Sequence, residues 1–345
     1  MKALKFIGVL FLLLLVVLLT LPLIMPNHAE TSSSIFVQTN AQTVFRQVNN
    51  LKNWSNWSPF VFDNPSMKSV YSGPEVGVGS SHSWKSEDMG DGSMTILANK
   101  PYENIQILLD MKEGGLAIDE WSFEEKEGGV EVTWTLKLSD LKYPFHRYFG
   151  FFIESMMKPM QEKGLEKLKE ISEVAPQSIS IELIELQAEA SITVLDSAMI
   201  KDLKTISENN YAELQLFIKR ARVQPTGPAF AMYYNWDVDK PVLMRVGFPI
   251  SEEVKESGRV VFFTRPGGKA LKGVYVGPYE ASAIAHYDID AHMLDFGYVQ
   301  SKKPIWEEYI VGPLDEADPN KWVTHIFYYL DEVTEEEAPE EDENQ

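Results

Sequence analysis

The chain opens on an apolar run. Residues 6–25 form twenty consecutive positions without a charge, behind Lys2 and Lys5. At a helical rise of about 1.5 Å per residue, such a run crosses the roughly 30 Å hydrocarbon layer of a bilayer as one helix. Beyond it the pattern changes. Val44, Phe45, Val48 and Leu51 recur at helical spacing, and Thr39 with Gln42 has the spacing of a capping box at the helix start. Strand-like stretches follow at 67–71, 80–86, 93–97, 105–111, 117–125 and 130–138, separated by glycine-bearing turns. Glu127-Gly128-Gly129 makes the last two a hairpin. A long helix closes the unit, with Phe152, Met156, Met160, Leu168 and Ile171 predicted as its buried stripe. A curved antiparallel sheet wrapped on one helix leaves room for a cavity between them.

After a break at 175–178, Ile179, Ile181 and Leu183 alternate with Ser180 and Glu182, which predicts a strand. A helix carrying Tyr211, Leu214 and Ile218 on one face comes next, then strands at 229–235 and 242–248. The order repeats: a strand at 270–276, a helix over 279–296, and strands at 305–311 and 322–329. Two successive strand–helix–strand–strand modules imply an internal duplication with a cleft where they meet. The expected divisions are an anchor at 1–30, folded units at 34–174 and 178–331, and a tail at 332–345.

A cleaved signal peptide is the rival reading of the N-terminal run. The run exceeds the usual ~7–15-residue apolar core of such peptides, and its exit, Pro26-Asn27-His28-Ala29-Glu30, lacks a small-x-small site. The expectation is therefore an uncleaved, single-pass anchor. Lys2 and Lys5 before the span and Glu30 after it put the N-terminus in the cytoplasm and the folded units in the periplasm or outside the cell.

Net charge is −20, and Asp331 to Glu343 accounts for nine carboxylates without a basic residue, the mark of a solvated, disordered tail. The remaining excess, about −11, argues against nucleic acid as a partner, because phosphate backbones need a positive counterface. No cysteine is present, which excludes disulfide scaffolds, thiolate metal sites and cysteine nucleophiles. Gly267-Gly268-Lys269-Ala270 is too short for a Walker loop, and no Gly-x-Ser-x-Gly elbow occurs. His286 and His292 lie about 240° apart on a helix and cannot share a metal, so both are expected to face solvent. No metal or cofactor is called for.

Two stretches resemble known families. Asn49-Asn50-Leu51-Lys52-Asn53-Trp54 with Trp57-Ser58-Pro59, then Tyr71-Ser72-Gly73, Gly77-Val78-Gly79, Ser83-Trp84-Lys85, Val132-Thr133-Trp134 and Gly164-Leu165-x-x-Leu168-Lys169, resemble the polyketide cyclase/START-type (SRPBCC) family. That resemblance implies a helix-grip fold with an apolar pocket, and no particular reaction. The five tryptophans, Trp54, Trp57, Trp84, Trp121 and Trp134, read as core more readily than as ligand contacts. Asn53 and Asn56 begin formal glycosylation sequons, discounted because they fall where a helix packs on the sheet and the resemblance is bacterial in character.

Further on, Gly273-Val274-Tyr275-Val276-Gly277-Pro278-Tyr279-Glu280 is similar to the signature of the GyrI-like, or effector-binding, family. Val246-Gly247-Phe248-Pro249-Ile250, Pro304-x-Trp306-Glu307-x-Tyr309, Gly312-Pro313, Asp318-Pro319 and Thr324-His325-Ile326 extend the match, although Met244 and Arg245 stand where relatives are often acidic. The resemblance implies a small-molecule cleft between two modules. The fold class expected for the chain is α+β: a transmembrane helix, a helix-grip antiparallel-sheet domain, and a duplicated βαββ effector-binding domain.

In a strand around 307, Glu307, Tyr309 and Val311 share one face and Trp306, Glu308 and Ile310 the other. The family pattern turns Glu307 and Tyr309 to the pocket, where a carboxylate among aromatic rings pairs with a cation or accepts hydrogen bonds. Tyr275 and either Tyr233 or Tyr234 are further candidates for the wall. The ligand expected is a small hydrophobic or aromatic, cationic molecule, and the membrane is the second partner, through residues 6–25. Three function classes remain open: a non-catalytic binder or sensor, a hydrolase or isomerase with Glu307 as general base and Tyr309 as proton donor, and an envelope scaffold with vestigial pockets.

Overall fold

The computed structural model describes residues 2–112, 115–175, 178–237 and 239–331. The acidic tail expected from 332, and the centre of the break at 176–177, lie outside the described residues. The chain divides into two units, residues 1–178 and 179–345.

In the first unit, helix α1 (Lys2–Ile24) carries the apolar run, and Phe6–Ile24 is long and apolar enough to cross a membrane. A strand that hydropathy did not foretell follows, β1 (Ala29–Val37). Its inward positions include Thr31 and Ser33, both buried, so its alternation is invisible as an apolar one. Helix α2 (Ala41–Asn49) comes next, then a 3-10 turn at Leu51–Asn56 and the short α3 (Pro59–Phe62). The cap of α2 is Asn40, not Thr39: the Asn40 side chain accepts from the Thr43 amide at 3.0 Å from an extended backbone.

The sheet continues through β2 (Lys68–Ser72), β3 (Ser81–Lys85), β4 (Gly92–Lys100), β5 (Asn104–Asp110), β6 (Leu116–Lys126) and β7 (Gly129–Leu138). Its order is β1-β7-β6-β5-β4-β3-β2, antiparallel throughout. The β6–β7 turn needs Gly128, whose φ is +82°. In β7 the residues Val130, Val132, Trp134, Leu136 and Leu138 are all buried, the period-2 pattern of a strand with one wet face.

Helix α4 (Phe145–Val174) crosses this sheet, and its buried face differs from the predicted stripe. Gly150, Ile153, Gln161, Gly164, Leu165, Leu168 and Ser172 face inward, while Phe152 and Met156 are each 54% exposed. Small residues are needed where the helix comes close: a Cβ on Gly164 would lie 3.0 Å from the Pro59 ring and 3.1 Å from Trp134. The space between helix and sheet is occupied by Trp54, Trp57, Trp121 and Trp134, all fully buried and in mutual contact. Trp121 and Trp134 stack at 4.6 Å.

The second unit is an eight-stranded antiparallel sheet with two helices. Its elements are β8 (Ser180–Leu186), β9 (Glu189–Ala198), α5 (Leu203–Ala221), β10 (Phe230–Tyr233), β11 (Val242–Pro249), β12 (Val261–Arg265), β13 (Gly268–Val276), α6 (Ala283–Phe296), β14 (Ile305–Val311) and β15 (Val323–Tyr329). The two modules are β9-α5-β10-β11 and β13-α6-β14-β15. Strands β9 and β12 were not foreseen, and the strand leading into α5 is β9 rather than β8. The sheet order, β12-β9-β11-β10-β14-β15-β13-β8, reads symmetrically from both edges. Each module is preceded by one extra strand, and each extra strand pairs with the other module: β8 with β13, and β12 with β9. The duplication thus closes on itself, with β10 and β14 joined at the centre.

Candidate functional site

Helix α5 packs over β9 and β11, and α6 over β13 and β15, so the central pair β10 and β14 lies between them. Strand β14 sets Glu307 opposite Ala231 of β10 on one side and Ile326 of β15 on the other. The small Ala231 side chain leaves room above the strand for the carboxyl group. Glu307 is buried, 9% exposed, and shares its face with Tyr309 as strand geometry requires.

Burying a carboxylate is costly unless donors replace the lost water. Glu307 has them. The Tyr309 hydroxyl donates to its Oε2 at 3.0 Å, and His286 Nε2, from α6, lies 3.1 Å from Oε1. With Nε2–H donating to the carboxylate, His286 Nδ1 accepts from the Tyr328 hydroxyl at 3.0 Å. The Tyr233 and Tyr309 hydroxyls are 3.3 Å apart, extending the chain to β10. Among the described residues, no lysine or arginine lies within 4 Å of the Glu307 carboxyl group, and His286 is the one basic side chain that does.

Aromatic rings complete the surroundings. Tyr211 of α5 and Tyr279, in the turn before α6, meet the Tyr309 ring edge-on at 6.4 and 5.2 Å. Trp322 lies against Tyr279 at 4.7 Å, and Trp236, 63% exposed, stands edge-on to Tyr233 at 5.6 Å. Burial first, and then neighbouring phenols and the Glu307 charge, hold the Tyr211 and Tyr309 phenols well above their ordinary range. Tyr233, Tyr279 and Tyr328 are raised as well, burial again being the largest cause. All five therefore stay protonated near neutrality: Tyr309 donates to Glu307 itself and Tyr328 to His286, while Tyr211 donates to Phe230 O.

Of the residues singled out from sequence, the structure brings Glu307, Tyr309 and Tyr233 together. Tyr275 stands apart: its hydroxyl donates to Pro278 O at 3.0 Å and its ring packs in the core beneath α6. Tyr234 is 40% exposed, and its hydroxyl accepts from Arg245 Nε at 3.1 Å. His286 corrects an expectation, since it is half-buried and turns to Glu307 instead of facing solvent, and His292 is buried. Tyr211, Tyr279 and Tyr328 were also missed. For His286 the available signal was its place three residues before the buried Ile289, at the edge of the apolar face of α6.

On the opposite face, Glu308 neighbours Arg265 at 3.7 Å and His325 at 3.8 Å. Arg265 is buried, lies 3.8 Å over the Trp306 ring and is also paired to Glu189. The two adjacent glutamates thus occupy different chemistries: one faces neutral donors and an imidazole, the other a guanidinium.

Comparison with known proteins agrees with this architecture. Residues 28–173 match the family described as polyketide cyclase / dehydrase and lipid transport, and residues 189–330 match the GyrI-like small molecule binding domain. No curated protein matches the chain. Among solved structures, a cryo-EM structure of an EcmrR–DNA complex is 18% identical, covering 55% of this chain and 70% of that one, with a TM-score of 0.43. The crystal structure of the EcmrR C-terminal domain is 18% identical over 45% of this chain and 99% of that one, with a TM-score of 0.38. An uncharacterized conserved protein from Listeria innocua is 13% identical over 48% and 98%, with a TM-score of 0.37. The chain thus joins a domain of the polyketide cyclase/dehydrase and lipid-transport family to one of the GyrI-like small-molecule-binding family, behind an N-terminal apolar helix.

Proposed function

We propose that this protein is a membrane-anchored, non-catalytic receptor for small aromatic or amphipathic cations, which it holds over Glu307 in the second unit. One observation carries the reading: a buried carboxyl group ringed by tyrosines, with hydrogen-bond donors but no lysine or arginine within ion-pair distance among the described residues. A cation entering between the rings gains the carboxylate's charge and the faces of Tyr279, Tyr309 and Tyr233. Helix α1 anchors the chain, and the lysines before it orient the folded units away from the cytoplasm. The tryptophan-filled interior of the first unit favours the second as the site of binding.

The test is calorimetric titration of the full chain in detergent micelles with naphthylmethylammonium, a cation with N–H donors, and with neutral naphthylmethanol. Glu307→Gln keeps shape and removes charge, so it should weaken cation binding by about 1.5–3 kcal/mol, roughly ten- to a hundredfold. Binding of the neutral alcohol should hardly change. Glu308→Gln, on the other face, should leave both affinities intact. Equal losses from the two substitutions would remove Glu307 from the site.

The 3.1 Å contact between Glu307 and His286 supports a second reading, a hydrolase or isomerase with Glu307 as base. In that case Glu307→Gln abolishes turnover of a substrate while its binding survives.

A further inference from the structure

The exposed side of α4 changes character along its length. Phe145, Phe149, Phe152 and Met156 fall within about 60° of one another on a helical projection, and they are 72, 39, 54 and 54% exposed. Continuing along the same face, Lys163, Lys167 and Glu170 take over, each making ion pairs at the surface. A helix with one solvent along that face has no reason to switch from phenylalanine to lysine halfway. A helix that passes from hydrocarbon into water does.

The position of the switch agrees with the place of α1. The start of α4 is bonded to the last turns of the apolar helix: Tyr148 donates to Leu18 O at 2.7 Å, Tyr143 to Leu19 O at 2.8 Å, and Arg147 Nη1 to Pro22 O at 2.7 Å. Two of these carbonyls lack their helical donor. Pro22 lies inside α1 and has no amide hydrogen to give Leu18 O, and Pro26 likewise offers none to Pro22 O. In hydrocarbon an unsatisfied carbonyl is costly, and two side chains of the α4 start supply what the prolines withhold. Leu18 is about 9 Å below Ile24 along the helix axis, so Tyr148 reaches well inside the apolar span. Two residues on, Gly150 meets the start of β1, where a Cβ would lie 3.2 Å from Ala29.

We propose that the first three turns of α4, Phe145–Met156, are embedded in the leaflet from which α1 emerges, so that the first unit is seated on the bilayer rather than suspended from a tether. The occupant of the exposed phenylalanine stripe is lipid. Tyr143 and Tyr148 take the interfacial role usual for tyrosine, and the ion-paired half of α4 stands in water. This rests on α1 spanning the membrane, which the test addresses separately.

The chain contains no cysteine, so single cysteines can be introduced without background. Full-length protein reconstituted into phosphatidylcholine–phosphatidylglycerol vesicles would carry a nitroxide label at Leu14→Cys, Phe149→Cys, Phe152→Cys or Lys167→Cys in turn. Power-saturation spectroscopy then compares collision with oxygen, which partitions into lipid, against collision with a water-soluble nickel chelate. The oxygen-to-nickel ratio should be several-fold higher at 149 and 152 than at 167, and highest at 14. A lipid-type ratio at 14 with water-type ratios at 149 and 152 overturns the embedding while the anchor stands. Low collision with both reagents at 149 and 152 means that protein, not lipid, covers the stripe, and also overturns it. A water-type ratio at 14 removes anchor and embedding together. Should either phenylalanine variant fail to fold, Met156→Cys on the same stripe makes the same comparison.

Discussion

Each of the two units buries a carboxyl group against aromatic rings, and the two treat it in opposite ways. Asp119 lies on the inward face of β6 and is 2% exposed; its Oδ1 has no hydrogen-bond partner. Burial pushes its carboxyl up to about 7. Glu307 is buried almost as deeply, yet it receives a tyrosine hydroxyl and an imidazole N–H from two different elements. Trp134 offers Asp119 one indole N–H, which offsets only part of the cost of burial, whereas Glu307 has both a tyrosine and a histidine. The same side-chain chemistry is a structural liability in one interior and a hydrogen-bonded acceptor in the other. Burial alone does not mark a binding site; burial with compensation by groups a ligand can join does.

The strongest way to break this comparison is to empty the first interior. Trp134→Ala should cost about 3–5 kcal/mol of stability, read by circular dichroism during denaturant unfolding of the full chain. A loss under about 1 kcal/mol would mean that the tryptophans line an adaptable pocket and that the units are alike after all.

The next effect concerns pH. Asp119 has a raised folded pKa, so it favours folding at acid pH, and that contribution is lost as pH rises from about 4 to about 7. His82 has the opposite slope: burial lowers it from 6.5 to about 4, so stability rises with pH between those values. The swings are on the order of 3–4 kcal/mol, and between pH 4 and 6.5 they oppose one another. The first unit should therefore show a nearly flat stability profile there. Asp119→Asn should tilt it upward with pH, and His82→Gln downward. Parallel, untilted profiles for both variants would count against the raised carboxyl of Asp119 and the lowered imidazole of His82.

A smaller effect sharpens the other side. Tyr309→Phe removes one donor from Glu307 and should lower the stability of the second unit by about 1 kcal/mol. Thermal unfolding followed at neutral pH measures it. A stabilised variant would show that Glu307 is satisfied without Tyr309.

Much of this was legible along the chain. The β7 alternation from Val130 to Leu138 and the common face of Glu307 and Tyr309 follow from a period of two, which backbone geometry imposes whatever surrounds the strand. The apolar length of α1 is likewise a local property. Strand β1 escaped notice because Thr31 and Ser33 fill its inward positions, and the α4 stripe was misassigned because phenylalanine at 152 and methionine at 156 mimic a core face. Hydropathy records that a side chain avoids water without saying whether protein or lipid receives it.

What the chain could not announce locally is which distant partner each element meets. The exchange of β8 and β12 between modules joins strands some eighty residues apart. His286 reaches Glu307 across 21 positions, and Tyr233 reaches Tyr309 across 76. Periodicity is a property of neighbouring residues, so it survives in any fold. Compensation of a buried carboxyl depends on donors brought from other elements, so only the folded sheet, with both helices over it, decides that Glu307 is held among tyrosines while Asp119 has little beyond the Trp134 indole.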